Sequence, residues 1–324
     1  MKAVLCTHFC TPDQLELVEI DEPQAGPGEA VVRVKAAALN FFDTLIIAGK
    51  YQHKPPFPFS PAAEFAGVVE SIGAGVTGIA TGDRVMGNIG WGAAREAVAV
   101  PAHLLVKVPD MLDFDHAAGL TVTYGTTLYA LRERAALKSG ETLVVLGASG
   151  GTGLAAIEIG KIMGARVIGC ASSDDKLAFA RDHGADATVN YTGEDLRGAL
   201  KKLGGQHGID VVYDPVGGPY AEPAVRALAW EGRYLVVGFA AGEVPKLPLN
   251  LVLLKSCDIR GVLWGTWVGR EPEAQRALMQ QIVEWCAQGR LSAHVHAVYP
   301  LAEIAAALKA IADRKAMGKI VLRP

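Results

Sequence analysis

A glycine-rich turn between a strand and a helix constrains the fold of this chain more than any other feature. The turn reads GASGGTG at 147–153; the apolar run 141–146 before it predicts a buried strand, and 154–163 after it has the apolar spacing of a helix. Glycine lets a pyrophosphate approach the backbone, and a helix N-terminus offers free N–H groups and the positive end of its dipole. Ala148 stands where the GxGxxG motif has its first glycine. The turn predicts dinucleotide binding, and the alternative is a tight turn without a ligand.

Strands and helices are predicted to alternate from about residue 115 onward. A second strand at 166–171 is followed by a helix at 174–183, which Gly184 ends. Further strands are predicted at 187–190, 209–213, 233–238 and 257–264. Repeated βα units imply a parallel sheet covered by helices on both faces. This part of the chain therefore predicts an α/β fold with a doubly wound parallel sheet of the Rossmann type.

The first third of the chain is predicted to be rich in strands and turns. Short strands are expected at 29–35, 65–72 and 82–86, with proline and glycine between them, which is typical of a small barrel or sandwich. After residue 272 the pattern is helix, strand, helix, strand, at 273–286, 294–299, 301–313 and 319–322. We expect one of the terminal strands to return to the N-terminal domain.

The end of the second predicted strand indicates which dinucleotide is bound. An NAD site carries Asp or Glu there to bind the ribose 2′-OH, whereas this chain has Ala171 followed by two serines. The residues expected around a 2′-phosphate are Ser172, Ser173, Lys176 and Tyr191. We therefore expect NADPH. Two alternatives stay open: Lys176 is a solvated helix residue, and Asp174 and Asp175 are either helix caps or charges that oppose a phosphate.

The net charge, the cysteines and the lack of long apolar stretches indicate which partners and which location to expect. The 34 acidic and 31 basic residues give a net charge of −3, and no basic cluster with aromatic residues occurs, so nucleic acid is not an expected partner. The five cysteines are scattered and form no CxxC pair, which predicts reduced thiols and a cytoplasmic location. No uncharged apolar stretch of about 18 residues occurs, so no membrane span is expected.

Five strings carry a resemblance to a known family: LNFFDT at 39–44, KYQHKPP at 50–56, EFAGVVESIG at 64–73, GDRV at 82–85 and the turn at 147–153. They are similar to medium-chain dehydrogenases/reductases, most closely to the zinc-free NADPH:quinone oxidoreductase (zeta-crystallin-like) branch. The resemblance covers the whole chain. It departs from the family at 61–64, where PAAE lacks the usual glycine, and at Glu158, where Gln is common.

This resemblance implies a GroES-like β-rich catalytic domain of residues 1–116 and 290–324, a Rossmann domain of residues 117–289, and a cleft between them. It also implies a homodimer, with the last Rossmann strand at the contact. In zinc-dependent relatives the matching ligand positions are Asn40, Ala63 and Ala118 here, and two of them have no donor atom. The structural zinc lobe would need four cysteines that this chain lacks. No metal is therefore expected.

The catalytic residues expected are Asn40, Tyr51 and Thr123. Asn40 either donates its amide to a carbonyl or caps a turn. Tyr51 matches the proton donor of similar enoyl-thioester reductases, and the alternative is packing against Pro55 and Pro56. The resemblance places Thr123 beside the nicotinamide and Asn250, Trp264 and Lys319 near the cofactor. Gly238 and Phe239 end a predicted strand, where parallel sheets bind ligands.

Three functions follow from these residues. The first is NADPH-dependent reduction of a quinone without a metal, because a quinone spreads the developing charge over its π system. The second is reduction of α,β-unsaturated carbonyls or enoyl thioesters with Tyr51 as the acid. The third is a non-enzymatic protein, structural or RNA-binding, that retains the cofactor site. Aromatic residues Phe42, Trp264 and Trp267 are candidates for a ring-binding slot, although Trp267 is favoured as a core or interface residue.

Overall fold

The computed structural model describes residues Met1–Pro324 and divides into two compact units. One unit comprises Met1–Val122 and Met279–Pro324, and the other comprises Thr123–Leu278. The sequence-based boundaries, 116/117 and 289/290, lie near these two divisions of the chain.

The strands, in chain order, are β1 (Lys2–Leu5), β2 (Glu16–Glu19), β3 (Glu29–Leu39), β4 (Glu64–Ile72), β5 (Arg84–Asn88), β6 (Ala97–Pro101), β7 (Val106–Lys107), β8 (Thr142–Leu146), β9 (Arg166–Ala171), β10 (Ala187–Asn190), β11 (Ile209–Asp214), β12 (Leu228–Val236), β13 (Asp258–Gly261), β14 (Val295–Pro300) and β15 (Lys319–Arg323).

The helices are α1 (Phe41–Ile47), α2 (Phe114–Ala118), α3 (Leu120–Leu128), α4 (Gly151–Ile162), α5 (Asp174–Asp182), α6 (Leu196–Gly204), α7 (Ala221–Ala227), α8 (Leu249–Lys255), α9 (Trp264–Arg270), α10 (Pro272–Ala287) and α11 (Ile304–Ala312). A π-helical segment, Tyr129–Arg134, continues α3. None of these helices combines the length and apolar character that crossing a bilayer requires.

The Thr123–Leu278 unit is built on a six-stranded parallel sheet in the order β10-β9-β8-β11-β12-β13. This order places β8 beside β11 at the centre, so the chain turns from one half of the sheet to the other there. Val144, Ile168 and Val212 contribute to a core against the helices. The predicted doubly wound fold is confirmed.

The other unit contains a largely antiparallel seven-stranded sheet. Its strands follow the order β14-β15-β3-β4-β5-β7, with β6 paired to β3, and β1 and β2 form a separate hairpin. The long strand β3 buries Val32, Val34 and Leu39 against Phe65 and Ile320. Both C-terminal strands join this sheet, β15 by pairing antiparallel with β3, so the expected return of a terminal strand is confirmed.

The strand predicted at 257–264 is only partly correct. β13 extends from Asp258 to Gly261, and α9 begins at Trp264. The side chain of Trp264 is buried, and its indole N–H donates to Gln275 Oε1 at 3.0 Å. The apolar residues at 262–264 are therefore explained by an anchored helix rather than by continuation of an edge strand.

Candidate functional site

The turn between β8 and α4 has the close packing that its glycines predicted. A Cβ on Gly153 would lie 2.1 Å from the carbonyl oxygen of Gly147, and Gly147 itself has φ +65°. Only glycine fits both positions. Gly150 caps α4, whose first N–H groups have no partner inside the helix. The glycines therefore allow a tight turn that leads directly into the N-terminus of α4, where free N–H groups are able to bind an anionic group.

A polar corner lies at the end of β9 in the same unit. Lys176 Nζ donates to Ser172 Oγ at 3.5 Å, and Ser173 is the N-cap residue of α5. Tyr191 follows β10, and its ring packs on Tyr220 with the centroids 4.2 Å apart. Asp174 Oδ1 accepts a hydrogen bond from Asn190 Nδ2 at 3.1 Å, so this carboxylate has a structural partner.

Buried Asp214 fixes the loops that follow β11 and β12. Its Oδ1 accepts hydrogen bonds from the N–H groups of Val216, at 2.7 Å, and Gly217, at 2.8 Å. Its Oδ2 accepts from the phenol of Tyr234, and burial raises the pKa of Asp214. Asp214 was not among the predicted site residues, although a carboxylate at the end of an apolar strand was a usable signal.

Gly238 and Phe239 lie beside the Asp214 loop. The N–H of Gly238 donates to the Asp214 carbonyl at 3.3 Å, and the ring of Phe239 is partly exposed. Three other predicted residues of this unit differ in exposure: Thr123 and Trp264 are buried, and Asn250 is exposed on α8. Trp267 stacks on Tyr129 with the centroids 4.6 Å apart, as its packing interpretation predicted.

The Met1–Val122 and Met279–Pro324 unit contains a buried charged cluster, here called the Lys319 cluster: Asn40, Asp43, Glu64 and Lys319. Lys319 Nζ donates to Asn40 Oδ1 at 2.7 Å, to Glu64 Oε1 at 2.7 Å and to the Leu39 carbonyl at 3.1 Å. Asn40 Nδ2 donates to Glu64 Oε1 at 2.9 Å. The three hydrogens of the ammonium are thus used inside the unit, and they fix the orientation of the Asn40 amide.

One ammonium faces two carboxylates in the Lys319 cluster. Glu64 Oε2 accepts from the N–H of Val122 at 2.7 Å, and Asp43 Oδ2 accepts from the N–H of Asn40 at 2.7 Å. Burial raises the pKa of Asp43, the charge of Glu64 adds to the rise and Lys319 opposes it, and the resulting pKa is about 7. Glu64 begins one of the strings quoted from the sequence, whereas Asp43, which lies within the LNFFDT string, was not among the predicted site residues.

Tyr51 has an apolar neighbour and a free hydroxyl. Its ring stacks on Phe42 with the centroids 5.5 Å apart, and the His53 ring lies 5.9 Å away. Burial raises the pKa of the Tyr51 phenol, and the charge of Asp43 adds to the rise. The hydroxyl donates no hydrogen bond within the protein. A protonated phenol beside an aromatic ring is able to donate a proton.

The positions matched to zinc ligands offer no donor set. Ala63 and Ala118 are buried methyl groups, and the Asn40 oxygen accepts from Lys319. No group of three or more His, Cys, Asp or Glu side chains has the arrangement of a metal site. Ala62, at the usual glycine position, has φ +62°, a left-handed conformation that costs an L-residue about 1–2 kcal/mol.

Comparisons with known proteins match both units. Residues 26–110 match the alcohol dehydrogenase GroES-like domain, and residues 151–284 match the zinc-binding dehydrogenase domain. A rat quinone oxidoreductase-like protein 2 is 38% identical over 322 residues, which cover 99% of this chain and 91% of the rat protein. A Pseudomonas aeruginosa quinone oxidoreductase is 33% identical over 325 residues, or 100% of this chain and 99% of that protein.

A solved structure extends the comparison to a bound cofactor. The Escherichia coli quinone oxidoreductase in complex with NADPH superposes with a TM-score of 0.93 at 28% identity, and the match covers 100% of both chains.

Proposed function

The chain belongs to the medium-chain dehydrogenase/reductase family, in its quinone oxidoreductase branch, and we propose that it reduces quinones with NADPH. The observation that carries this proposal is the corner at the end of β9, where Lys176 meets Ser172 and no carboxylate occupies the NAD-selecting position. We propose a quinone as the substrate because the relatives are named quinone oxidoreductases. The structure of one relative with NADPH supports the choice of cofactor.

The residues present fit this cofactor. Gly147 and Gly153 allow the tight turn at the head of α4, and the first N–H groups of this helix have no partner within it, so the helix N-terminus suits a diphosphate. The residues proposed to hold the diphosphate are Ala148, Ser149, Gly150, Gly151, Thr152 and Gly153. Those proposed around the 2′-phosphate are Ser172, Ser173, Lys176 and Tyr191. The remaining contacts are proposed for Thr123, Gly238, Phe239, Asn250 and Trp264.

NADPH, when bound, supplies the hydride. The protein has to stabilise negative charge that develops on the acceptor oxygen. Asn40 Nδ2 keeps one hydrogen beyond the one given to Glu64, and we propose that it donates this hydrogen to the acceptor. Lys319 holds the Asn40 amide in place, so we assign it a positioning role. Because its three hydrogens are already used, the cofactor contact that the resemblance implies would require one of these hydrogen bonds to be exchanged.

The proposed reaction needs no metal. Ala63 and Ala118 provide no ligand atoms, and the Lys319 ammonium already takes the oxygens of Asn40 and Glu64. A quinone suits such a site, because delocalisation stabilises its reduced anion.

Reduction of conjugated enones or enoyl thioesters is the alternative function. The unpartnered hydroxyl of Tyr51 favours it, because an enolate has to be protonated, although burial raises the pKa of this phenol and so makes it a weaker acid. A spectrophotometric screen of NADPH oxidation with quinones, enones and crotonyl thioesters decides between the two. Quinone turnover well above the others supports the first function, enone turnover supports the second, and the absence of all turnover contradicts both.

We also propose a homodimer in the cytoplasm. Leu249, Leu253 and Leu254 of α8 are strongly exposed, and β13 pairs with only one strand, β12. An apolar helix face beside an open sheet edge is typical of an interface. All five cysteines are free thiols, which supports a reducing compartment.

A further inference from the structure

Two of the five cysteines are in contact with each other. Cys6 Sγ and Cys10 Sγ lie 3.6 Å apart, and no other pair of thiols is within hydrogen-bond distance. Cys6 follows β1 and is 0% exposed, whereas Cys10 is 8% exposed. Both thiols lie outside the Lys319 cluster and the glycine-rich turn. Neither catalysis nor cofactor binding, as proposed above, therefore explains why the two thiols are in contact.

The backbone at each of the two cysteines is hydrogen-bonded to another segment, whereas the residues between them are exposed. The N–H of Cys6 donates to the Phe59 carbonyl at 2.7 Å, and the N–H of Cys10 donates to the Ile47 carbonyl at 2.8 Å. The three residues between them, 7–9, are exposed. A disulfide has a sulfur–sulfur distance of about 2.05 Å, so the two sulfurs would have to approach by about 1.5 Å. Disulfide formation therefore requires side-chain rotation and a shift of the exposed segment 7–9.

We propose that Cys6 and Cys10 are a site of reversible oxidation, at which a hydroperoxide converts the two thiols into an intramolecular disulfide. Cys10 reacts first, because it is the more exposed thiol. Its sulfur takes the terminal oxygen of the hydroperoxide, the O–O bond breaks, and an alcohol (or water, from hydrogen peroxide) leaves. Cys10 is then a sulfenic acid.

The second step closes the disulfide. The sulfur of Cys6 attacks the sulfur of Cys10, the S–S bond forms and the S–O bond breaks. The departing hydroxyl takes the Cys6 proton and leaves as water, so two electrons have passed from the dithiol to the peroxide. Burial and the neighbouring Cys10 raise the pKa of Cys6 to about 12, and its thiol donates to the His8 carbonyl at 3.0 Å.

The segment between the cysteines also contacts the segment that carries Tyr51. The Phe9 ring covers Gly49, where a Cβ would lie 2.8 Å from it, and it packs edge-on against Phe57 with the centroids 4.9 Å apart. Lys54 Nζ lies 5.8 Å from the same ring. Closure of the disulfide therefore moves a residue that contacts the chain on both sides of Tyr51. We expect the oxidised protein to reduce enones more slowly, a consequence that rests on the proposed function.

Counting thiols tests the site without any measurement of turnover. The reduced full-length protein is treated with hydrogen peroxide, the peroxide is removed, and thiols are titrated in denaturant. The wild type is expected to fall from five thiols to three. Its tryptic peptide 3–33, which contains both cysteines, is expected to lose the mass of two hydrogen atoms and to regain it with dithiothreitol. Cys10→Ser, which lacks the thiol that reacts first, is expected to keep all four of its thiols. Cys6→Ala, which lacks only the resolving thiol, is expected to lose one thiol as a sulfenic or sulfinic acid on Cys10 and to form no disulfide.

Three results would overturn the proposal: five thiols retained in the wild type, an equal loss of thiols in the two variants, or Cys10 of the wild type oxidised to sulfinic acid with no disulfide. Each of these is read from thiols and masses alone. A protein that forms the disulfide but reduces no quinone would contradict the proposed function and leave the oxidation site standing.

Discussion

At the scale of single residues, the phenol of Tyr51 separates the two candidate reactions. Its hydroxyl has no partner in the protein, and burial raises its pKa above the ordinary value of a phenol. Loss of a general acid typically slows a reaction by about 10²–10⁴-fold. We expect Tyr51→Phe to slow enone reduction by this order and quinone reduction much less, with NADPH affinity nearly unchanged. Steady-state kinetics with both acceptors measure the difference. Unchanged enone turnover would show that Tyr51 only packs against Phe42.

Lys176 is expected to select the cofactor. Its ammonium lies beside the hydroxyl of Ser172, and we propose that the 2′-phosphate of NADPH binds next to these two groups. A hydrogen bond to a charged group contributes about 1.5–3 kcal/mol, so Lys176→Ala should weaken NADPH binding by about 10- to 100-fold and leave NADH binding nearly unchanged. Fluorescence titration with both cofactors measures this, and Lys201→Ala, an exposed lysine on α6, is the control. Equal losses for NADPH and NADH would place Lys176 away from the phosphate.

The third residue-scale prediction concerns Asp43 and pH. Its pKa rises from 3.8 to about 7 on folding, so between these values the folded state retains a proton that the unfolded state releases. The free energy of unfolding therefore falls as pH rises from about 4 to 7, by up to ~4 kcal/mol for this group. Asp43→Asn removes this dependence and should gain stability relative to the wild type as pH rises.

Urea unfolding of both proteins at pH 5 and pH 8 measures the difference. Asp21→Asn changes an exposed carboxyl and serves as the control. The groups that face Asp43 are Glu64, Lys319 and Tyr51, and all three are unchanged in the variant. Parallel pH dependence of Asp43→Asn and the wild type would show that Asp43 titrates in its ordinary range.

At the scale of helices and strands, local signals predicted most elements. The glycine turn located β8 and α4, because only glycine fits at Gly147 and Gly153. The apolar residues at 257–264 led to the prediction of one long strand, whereas β13 ends at Gly261 and α9 begins at Trp264. An edge strand and the start of a buried helix both require apolar residues, so the sequence pattern does not distinguish them. The Lys319 cluster could not be predicted from local sequence patterns, because Lys319 and Glu64 are 255 residues apart. The pairing of β15 with β3 and of β3 with β4 brings them together.

The C-terminus of α8 provides a test of element stability. Ser256 ends this helix with φ +48° and ψ +31°, a left-handed conformation that favours glycine. The side chain of Ser256 is exposed, so its removal costs little packing. Relief of the strain, offset by the greater entropy of unfolded glycine, should raise the free energy of unfolding by about 0.5–1 kcal/mol in Ser256→Gly. Ser256→Ala removes the same hydroxyl and keeps the strain. Equal stabilities of the two variants in urea would contradict this account.

At the scale of the whole molecule, the charge distribution and the exposed surface decide between kinds of partner. The net charge of −3 provides no positive field for a phosphate backbone, which disfavours the RNA-binding alternative. The strongly exposed leucines of α8 favour a second copy of the chain instead, since the neighbouring edge strand β13 has unpaired backbone groups. A stable dimer buries about 1,600 Å² in total, and α8 with β13 would lie within such an interface.

A single charge in that surface should therefore separate the dimer. Leu253 is 79% exposed, and Leu253→Glu would place a carboxylate in an apolar interface, where it loses its hydration without gaining a partner. We expect the wild type to sediment as a dimer and Leu253→Glu as a monomer at micromolar concentration. Met111→Glu is the matched control, because Met111 is 74% exposed in the other unit and its change should leave the dimer intact. A monomeric wild type, or a dimer that survives in Leu253→Glu, would remove α8 from the interface.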